Sequence, residues 1–126
     1  MKILLLDQYS QVQEALKEFL ELQGHEVICI DNPVSAYSIC TTLDAQLLIS
    51  EYFSDDKNYV KLFELINEKK NPTKIIILTS IPYTFREISK LEKIQIEDIM
   101  IKPIDPKIIL EVIQELETRN VLKIKN

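Results

Sequence analysis

Leu47-Leu48-Ile49-Ser50-Glu51 is a short apolar run closed by an acid. A run this short, without polar alternation, suits a strand buried on both faces. Three other runs have the same form. Ile3-Leu4-Leu5-Leu6 ends at Asp7, Ile75-Ile76-Ile77-Leu78 at Thr79, and Ile99-Met100-Ile101 at Lys102-Pro103. Glu26-Val27-Ile28-Cys29-Ile30 adds a fifth, with four apolar residues. Strands are therefore predicted over 2–6, 26–30, 46–50, 74–78 and 98–101. They alternate with five helical patterns, which predicts an α/β domain: a (βα)5 doubly wound, five-stranded parallel sheet. Strand carboxyl ends of such a sheet share one edge, so Asp7, Glu51, Thr79 and Lys102 should converge there.

The helices carry their own start and stop signals. Ser10 and Gln13 have the spacing of a capping box, predicting the start of helix one. Val12, Ala15, Leu16, Phe19, Leu20 and Gln23 form its stripe, and Gly24 supplies the stop. Asn32-Pro33 and Asp105-Pro106 each pair a side-chain acceptor with a proline, predicting the starts of helices two and five. Ala36, Ile39, Cys40 and Leu43 make the buried face of helix two. Ile109, Val112, Ile113 and Leu116 make that of helix five. Helix three is predicted over 58–68, burying Leu62, Phe63 and Ile66. Helix four falls within 84–93 on a thin stripe of Phe85, Ile88 and Leu91. Residues 1–120 read as one domain, and 121–126 as a tail or the start of a linker.

The chain has 126 residues, enough for one domain with a proper core, and a net charge of −5. That charge argues against direct binding of nucleic acid, which needs a basic face. Neither a signal peptide nor a membrane-spanning stretch is expected, which points to a cytoplasmic protein without membrane contact. Cys29 and Cys40 lack metal-ligand spacing and read as free, buried thiols.

These landmarks together resemble the receiver domain of two-component response regulators. The likeness spans the whole chain, and matching Asp7, Glu51, Thr79 and Lys102 requires no large insertion. It implies the flavodoxin-like strand order 2-1-3-4-5. It also implies roles: an Asp on strand three that accepts phosphate from a histidine kinase, here Glu51; an acidic pocket that holds Mg²⁺, here Asp7 and Gln8; and phosphate-binding positions, here Thr79 and Lys102. Lys102-Pro103 matches the family's Lys-Pro segment, so a cis bond at Pro103 is implied. The switch position, usually aromatic, is Ile99.

The departures from that pattern direct the functional reading. Gln8 replaces a carboxylate, and Mg²⁺ takes hard oxygen ligands in tight geometry, so no bound metal or other cofactor is expected. Glu51 sets its carboxylate one methylene further out. A misplacement of about 1 Å in an in-line transfer costs on the order of 10²-fold. Glu51 thus reads either as a built-in mimic of the phosphorylated state, reaching Lys102 and Thr79, or as a counter-charge for Lys102. Asp55 and Tyr59 stand where receivers usually carry Pro and Gly, and Asp55-Asp56 reads as a solvated acidic loop. Ile99 has no ring to swing, so the usual hydroxyl-to-aromatic coupling should be absent; it is expected to pack against helix four, restrained also by Ile113. His25 reads as a structural surface residue, and Ser50 and Ser80 lack the context of a nucleophile.

The expected function is a non-enzymatic, atypical receiver. It would act by phosphorylation-independent protein contact or self-association through the helix 4–strand 5–helix 5 face, with a histidine kinase or an output domain among its partners. Two alternatives stand beside it. One is the regulatory front of a longer DNA-binding transcriptional regulator. The other is a flavodoxin-like cofactor-binding protein, which Asp7-Gln8-Tyr9-Ser10 disfavours because that loop is not rich in Gly or hydroxyls.

Overall fold

In the computed structural model, residues 1–80 and 85–125 are described, except for the side chains of Ser10, Val12, Phe85 and 120–125. Five strands alternate with five helices. The order is β1 (Lys2–Leu6), α1 (Ser10–Leu22), β2 (Glu26–Ile30), α2 (Pro33–Thr42), β3 (Leu47–Ser50), α3 (Lys57–Asn67), β4 (Lys74–Thr79), α4 (Phe85–Ser89), β5 (Asp98–Ile101) and α5 (Pro106–Lys125). The strands form one parallel sheet in the order β2-β1-β3-β4-β5. This is the doubly wound, flavodoxin-like topology.

Alternation along the strands sorts side chains into two cores. Leu4, Leu6, Leu48, Ile75 and Ile77 pack with Ala36 and Cys40 of α2 and Leu62, Phe63 and Ile66 of α3. Ile3, Leu5, Leu47, Ile49, Ile76 and Met100 pack on the opposite face with Leu16 and Leu20 of α1 and Ile109, Ile113 and Leu116 of α5. Continuous apolar runs suit β1, β3 and β4 because their side chains meet a helix layer on both faces, whereas the edge strands β2 and β5 expose Ile28 and Ile101. Ile39, Leu43 and Val112 are only half-buried. Tyr59 joins the α3 face that the apolar pattern assigns to Leu62, Phe63 and Ile66.

Helix starts divide by how local their chemistry is. Asn32 caps α2, its Oδ1 accepting from the Ser35 amide at 3.0 Å. Asp105 Oδ1 accepts from the Lys107 amide at 3.0 Å as α5 begins. Gly24 takes φ +94°, which an L side chain would resist, and ends the turn after α1. Ser10 is not the N-cap of α1, and its side chain lies outside the described ones. Tyr9 is the N-cap of α1 and makes no side-chain capping bond. Gln13 is buried, and its amide donates to the Leu5 carbonyl at 3.3 Å and the Ile30 carbonyl at 2.6 Å. The buried Gln13 amide itself needs acceptors, and these two carbonyls supply them, the Ile30 carbonyl while also accepting from the Asp7 amide at 3.2 Å. Ala15 and Gln23 of the predicted stripe are exposed, and Val12 lies outside the described side chains.

Helix four, Phe85–Ser89, falls within the predicted window 84–93. Residue 84 and the Phe85 side chain are outside the described residues, and Leu91 is buried in the turns after Ser89. The helix α5 runs on through Lys125; residue 126 lies outside the described residues. His25 is buried, not on the surface: its Nδ1 lies 3.0 Å from the Met1 amine, and burial followed by that positive charge lowers its pKa. Cys40 is a buried free thiol, its Sγ 3.2 Å from Thr73 Oγ1; Cys29 is free and half-buried. Among the described residues, no helix is long and apolar enough to cross a membrane.

Candidate functional site

The parallel sheet brings the carboxyl ends of β1, β3, β4 and β5 to one edge, and Asp7, Glu51, Thr79 and Lys102 meet there. Asp7, Glu51 and Thr79 are all buried, at 4%, 3% and 2% exposure. Lys102 is held by its backbone, whose N–H donates to the Thr79 carbonyl at 2.7 Å, and its bond to Pro103 is cis. The Lys102 ammonium forms a tight, charge-assisted hydrogen bond with Asp7 Oδ2. Asp7 Oδ1 accepts from the Tyr9 amide at 2.8 Å. The two oxygens of Asp7 are therefore both engaged.

Glu51 is turned elsewhere. Its Oε1 accepts from the Tyr59 hydroxyl at 2.7 Å and from the Gln8 amide at 3.3 Å. Among the described residues Lys102 pairs with Asp7 and not with Glu51. The expected reach of Glu51 to Lys102, shared by the mimic and counter-charge readings, is not formed. Burial pushes the Glu51 carboxyl pKa up, and the Asp7 charge adds to this; the Tyr59 and Gln8 hydrogen bonds and the Lys102 charge oppose it. Burial and the same carboxylate push the Tyr59 phenol far up, so its proton stays in place as the donor.

The longer side chain explains the choice of partner. The long side chain of Glu51 reaches Tyr59 of α3, eight residues on. Tyr59 is the residue that sequence reasoning undervalued. It was legible as a departure at a position usually Gly, but its hydroxyl donor was not read as the complement to Glu51.

The neighbouring loop is also better ordered than a solvated acidic stretch. Asp56 is the N-cap of α3, accepting from the Asn58 amide at 2.9 Å, while Asp55 is exposed. The Phe53 and Tyr59 rings meet edge-on at 5.6 Å. Ile99 is half-buried and packs with the cluster that includes Leu91. Ile113 belongs to the other face of the sheet, so it does not restrain Ile99 as expected. Strand alternation is the reason: Ile99 and Met100 point to opposite layers.

This donor set does not fit the divalent cation that receiver chemistry employs. Asp7 is committed to Lys102 and the Tyr9 amide, position 8 offers a neutral amide, and Glu51 is committed to Tyr59. Hard cations need several free oxygen ligands at short range. Among the described residues, no group of three His, Cys, Asp or Glu side chains is placed to hold a metal.

Comparison with solved structures places this arrangement in a known architecture. A signal receiver domain from Vibrio parahaemolyticus matches with a TM-score of 0.80 at 19% identity, over 97% of this chain and 93% of that chain. The chemotaxis response regulator CheY4 of Vibrio cholerae matches at 0.76 and 16%, over 90% and 96%. The BeF3-activated receiver domain of Klebsiella pneumoniae RstA matches at 0.77 and 18%, over 90% and 96%. The fold is that of receiver domains. No protein-family model matches the chain, and no curated protein sequence does. Within the receiver fold, Glu51 occupies the end of β3 and Tyr59 the first turn of α3, as the chain order dictates.

Proposed function

We propose that this chain is a receiver-type domain of two-component signalling that acts by protein contact, without aspartyl phosphorylation. The Tyr59–Glu51 hydrogen bond carries this reading. It satisfies the side chain at the acceptor position from within the protein, and the position has no Asp to phosphorylate. Gln8 and the Asp7–Lys102 pair remove the charge balance and free ligands that metal-assisted phosphoryl transfer requires.

The output is binding, not catalysis. Its surface is the face formed by α4, β5 and α5, where Ile88, Ile101 and Ile108 are exposed. Partners of the kinds that receivers engage, a histidine kinase or an output domain, would dock there. Neither nucleic acid nor membrane is a partner of this domain, given the net charge of −5.

Incubation with acetyl phosphate and Mg²⁺ tests the reading by intact mass. The expected mass is unchanged. A stoichiometric phosphoryl adduct removes the proposal. Beryllofluoride provides a second arm: amide NMR shifts on the α4–β5–α5 face should stay where they are, because a ligand moves an equilibrium only through differential affinity.

A further inference from the structure

The loop after Glu51 is fastened at both ends. On the site side, the Tyr59 hydroxyl holds Glu51 and the Tyr59 ring packs on Phe53. On the far side, the same loop grips α4. The Tyr52 hydroxyl donates to the Glu87 carbonyl at 3.3 Å, and Ser54 Oγ donates to Glu87 Oε2 at 2.8 Å. Lys90 Nζ returns the contact, donating to the Ser54 carbonyl at 3.1 Å. Tyr52 is fully buried against Phe63, which gives the loop a fixed anchor.

The geometry points to a mechanical link from Glu51 to α4 that runs through Tyr59, Phe53, Tyr52 and Ser54. It stands apart from whether the chain takes phosphate, and so goes beyond the function proposed above. The helix α4 spans only Phe85–Ser89. A helix so short does not hold itself in water and depends on tertiary contacts. Among the described residues, those contacts include the bonds to Tyr52 and Ser54 of the β3–α3 loop. Ile99 has no aromatic ring with which to report on Thr79, yet α4 is not disconnected from the site. Its position follows the loop, and the loop follows the Glu51–Tyr59 bond. Tyr59 is a positioning residue in this link, acting on α4 through the loop, whereas Ser54 holds Glu87 of α4 directly.

Backbone hydrogen exchange separates this link from ordinary stabilisation. Tyr59→Phe removes only the hydroxyl, and Ser54→Ala only the half-buried bond to Glu87. Exchange of amides 87–91 should rise by more than about threefold in each variant, while the β1 amides of Leu4 and Leu5 stay at their original rates. In a chain carrying Ser54→Ala, adding Tyr59→Phe should raise α4 exchange by less than it does alone. A smaller rise at 87–91, a rise shared equally by β1, or fully additive effects would each overturn the link. Because Ser54→Ala removes a single hydroxyl from a half-buried position, its variant keeps the test decisive even if the Tyr59 change unfolds the chain.

Discussion

The Tyr59 hydroxyl lies 2.7 Å from Glu51 Oε1, while the Lys102 ammonium is bonded to Asp7. Two acids that converge on one sheet edge have thus taken separate partners from different elements. Asp7 is balanced by a charge and Glu51 by a neutral donor. The difference predicts unlike responses to pH and to mutation.

Glu51 should penalise folding as it ionises. Its carboxyl pKa is raised in the folded protein, chiefly by burial, so the folded chain keeps a proton that the unfolded chain has released. Its contribution is fully present below the ordinary carboxylate range and falls as pH rises through the raised value. Glu51→Gln cannot ionise, so its stability relative to wild type should improve from about pH 4 to pH 8. Urea midpoints across that range check this. A constant difference would show that the carboxyl pKa is not raised.

Lys102→Met should destabilise the fold by about 3 kcal/mol, because it strands the Asp7 charge in a buried setting. Adding Asp7→Asn should recover most of that loss, since the orphaned charge is removed. Chemical denaturation of the two variants measures both values. Equal instability of the single and double changes would mean that packing of the Lys102 stem, not charge, matters at this edge.

Restoring phosphoryl acceptance should take more than restoring carboxylates. Gln8→Asp with Glu51→Asp supplies the acids but leaves the Tyr59 hydroxyl over the site. Adding Tyr59→Phe should speed labelling by acetyl phosphate at least about tenfold over that double variant, because positioning governs the transfer. Time-resolved intact mass gives the comparison. Equal rates would place the remaining defect in the Asp55 loop.

Gln13→Leu should cost about 1 kcal/mol, because it removes two hydrogen bonds at the β1–β2 edge while the Ile30 carbonyl keeps the Asp7 amide. A thermal melt suffices. A loss under about 0.5 kcal/mol, the range of an ordinary surface change, would make the bond immaterial.

What the sequence made legible was whatever a short window contains. All five strands appeared as apolar runs, and Asn32-Pro33 and Asp105-Pro106 marked their helices because cap and proline are adjacent. Gly24 was readable for the same reason. The misreadings of Gln13, His25 and Ile113 involve partners distant along the chain. Gln13 was assigned to a local box, but its amide serves two strand carbonyls. His25 has no local sign that the Met1 amine will reach it. Ile113 was placed beside Ile99 although the sheet stands between them. At the site, convergence of Asp7, Glu51, Thr79 and Lys102 followed from topology. The choice of Tyr59 by Glu51 depended on side-chain reach, which spacing alone does not specify.

The outer strands of the sheet, β2 and β5, have a consequence for self-assembly. They span five and four residues, each opens on an acid, and each is followed closely by a proline: Glu26 and Pro33, Asp98 and Pro103. Asp98 Oδ1 also accepts from the Ile99 amide at 2.8 Å, taking a main-chain donor at the margin of the sheet. Short margins, acids and prolines discourage a foreign strand from zipping on. Stacking into continuous cross-chain sheets is therefore disfavoured in the folded state. The protein is left free to display Ile88, Ile101 and Ile108 as sticky side chains without offering a backbone template for fibrils.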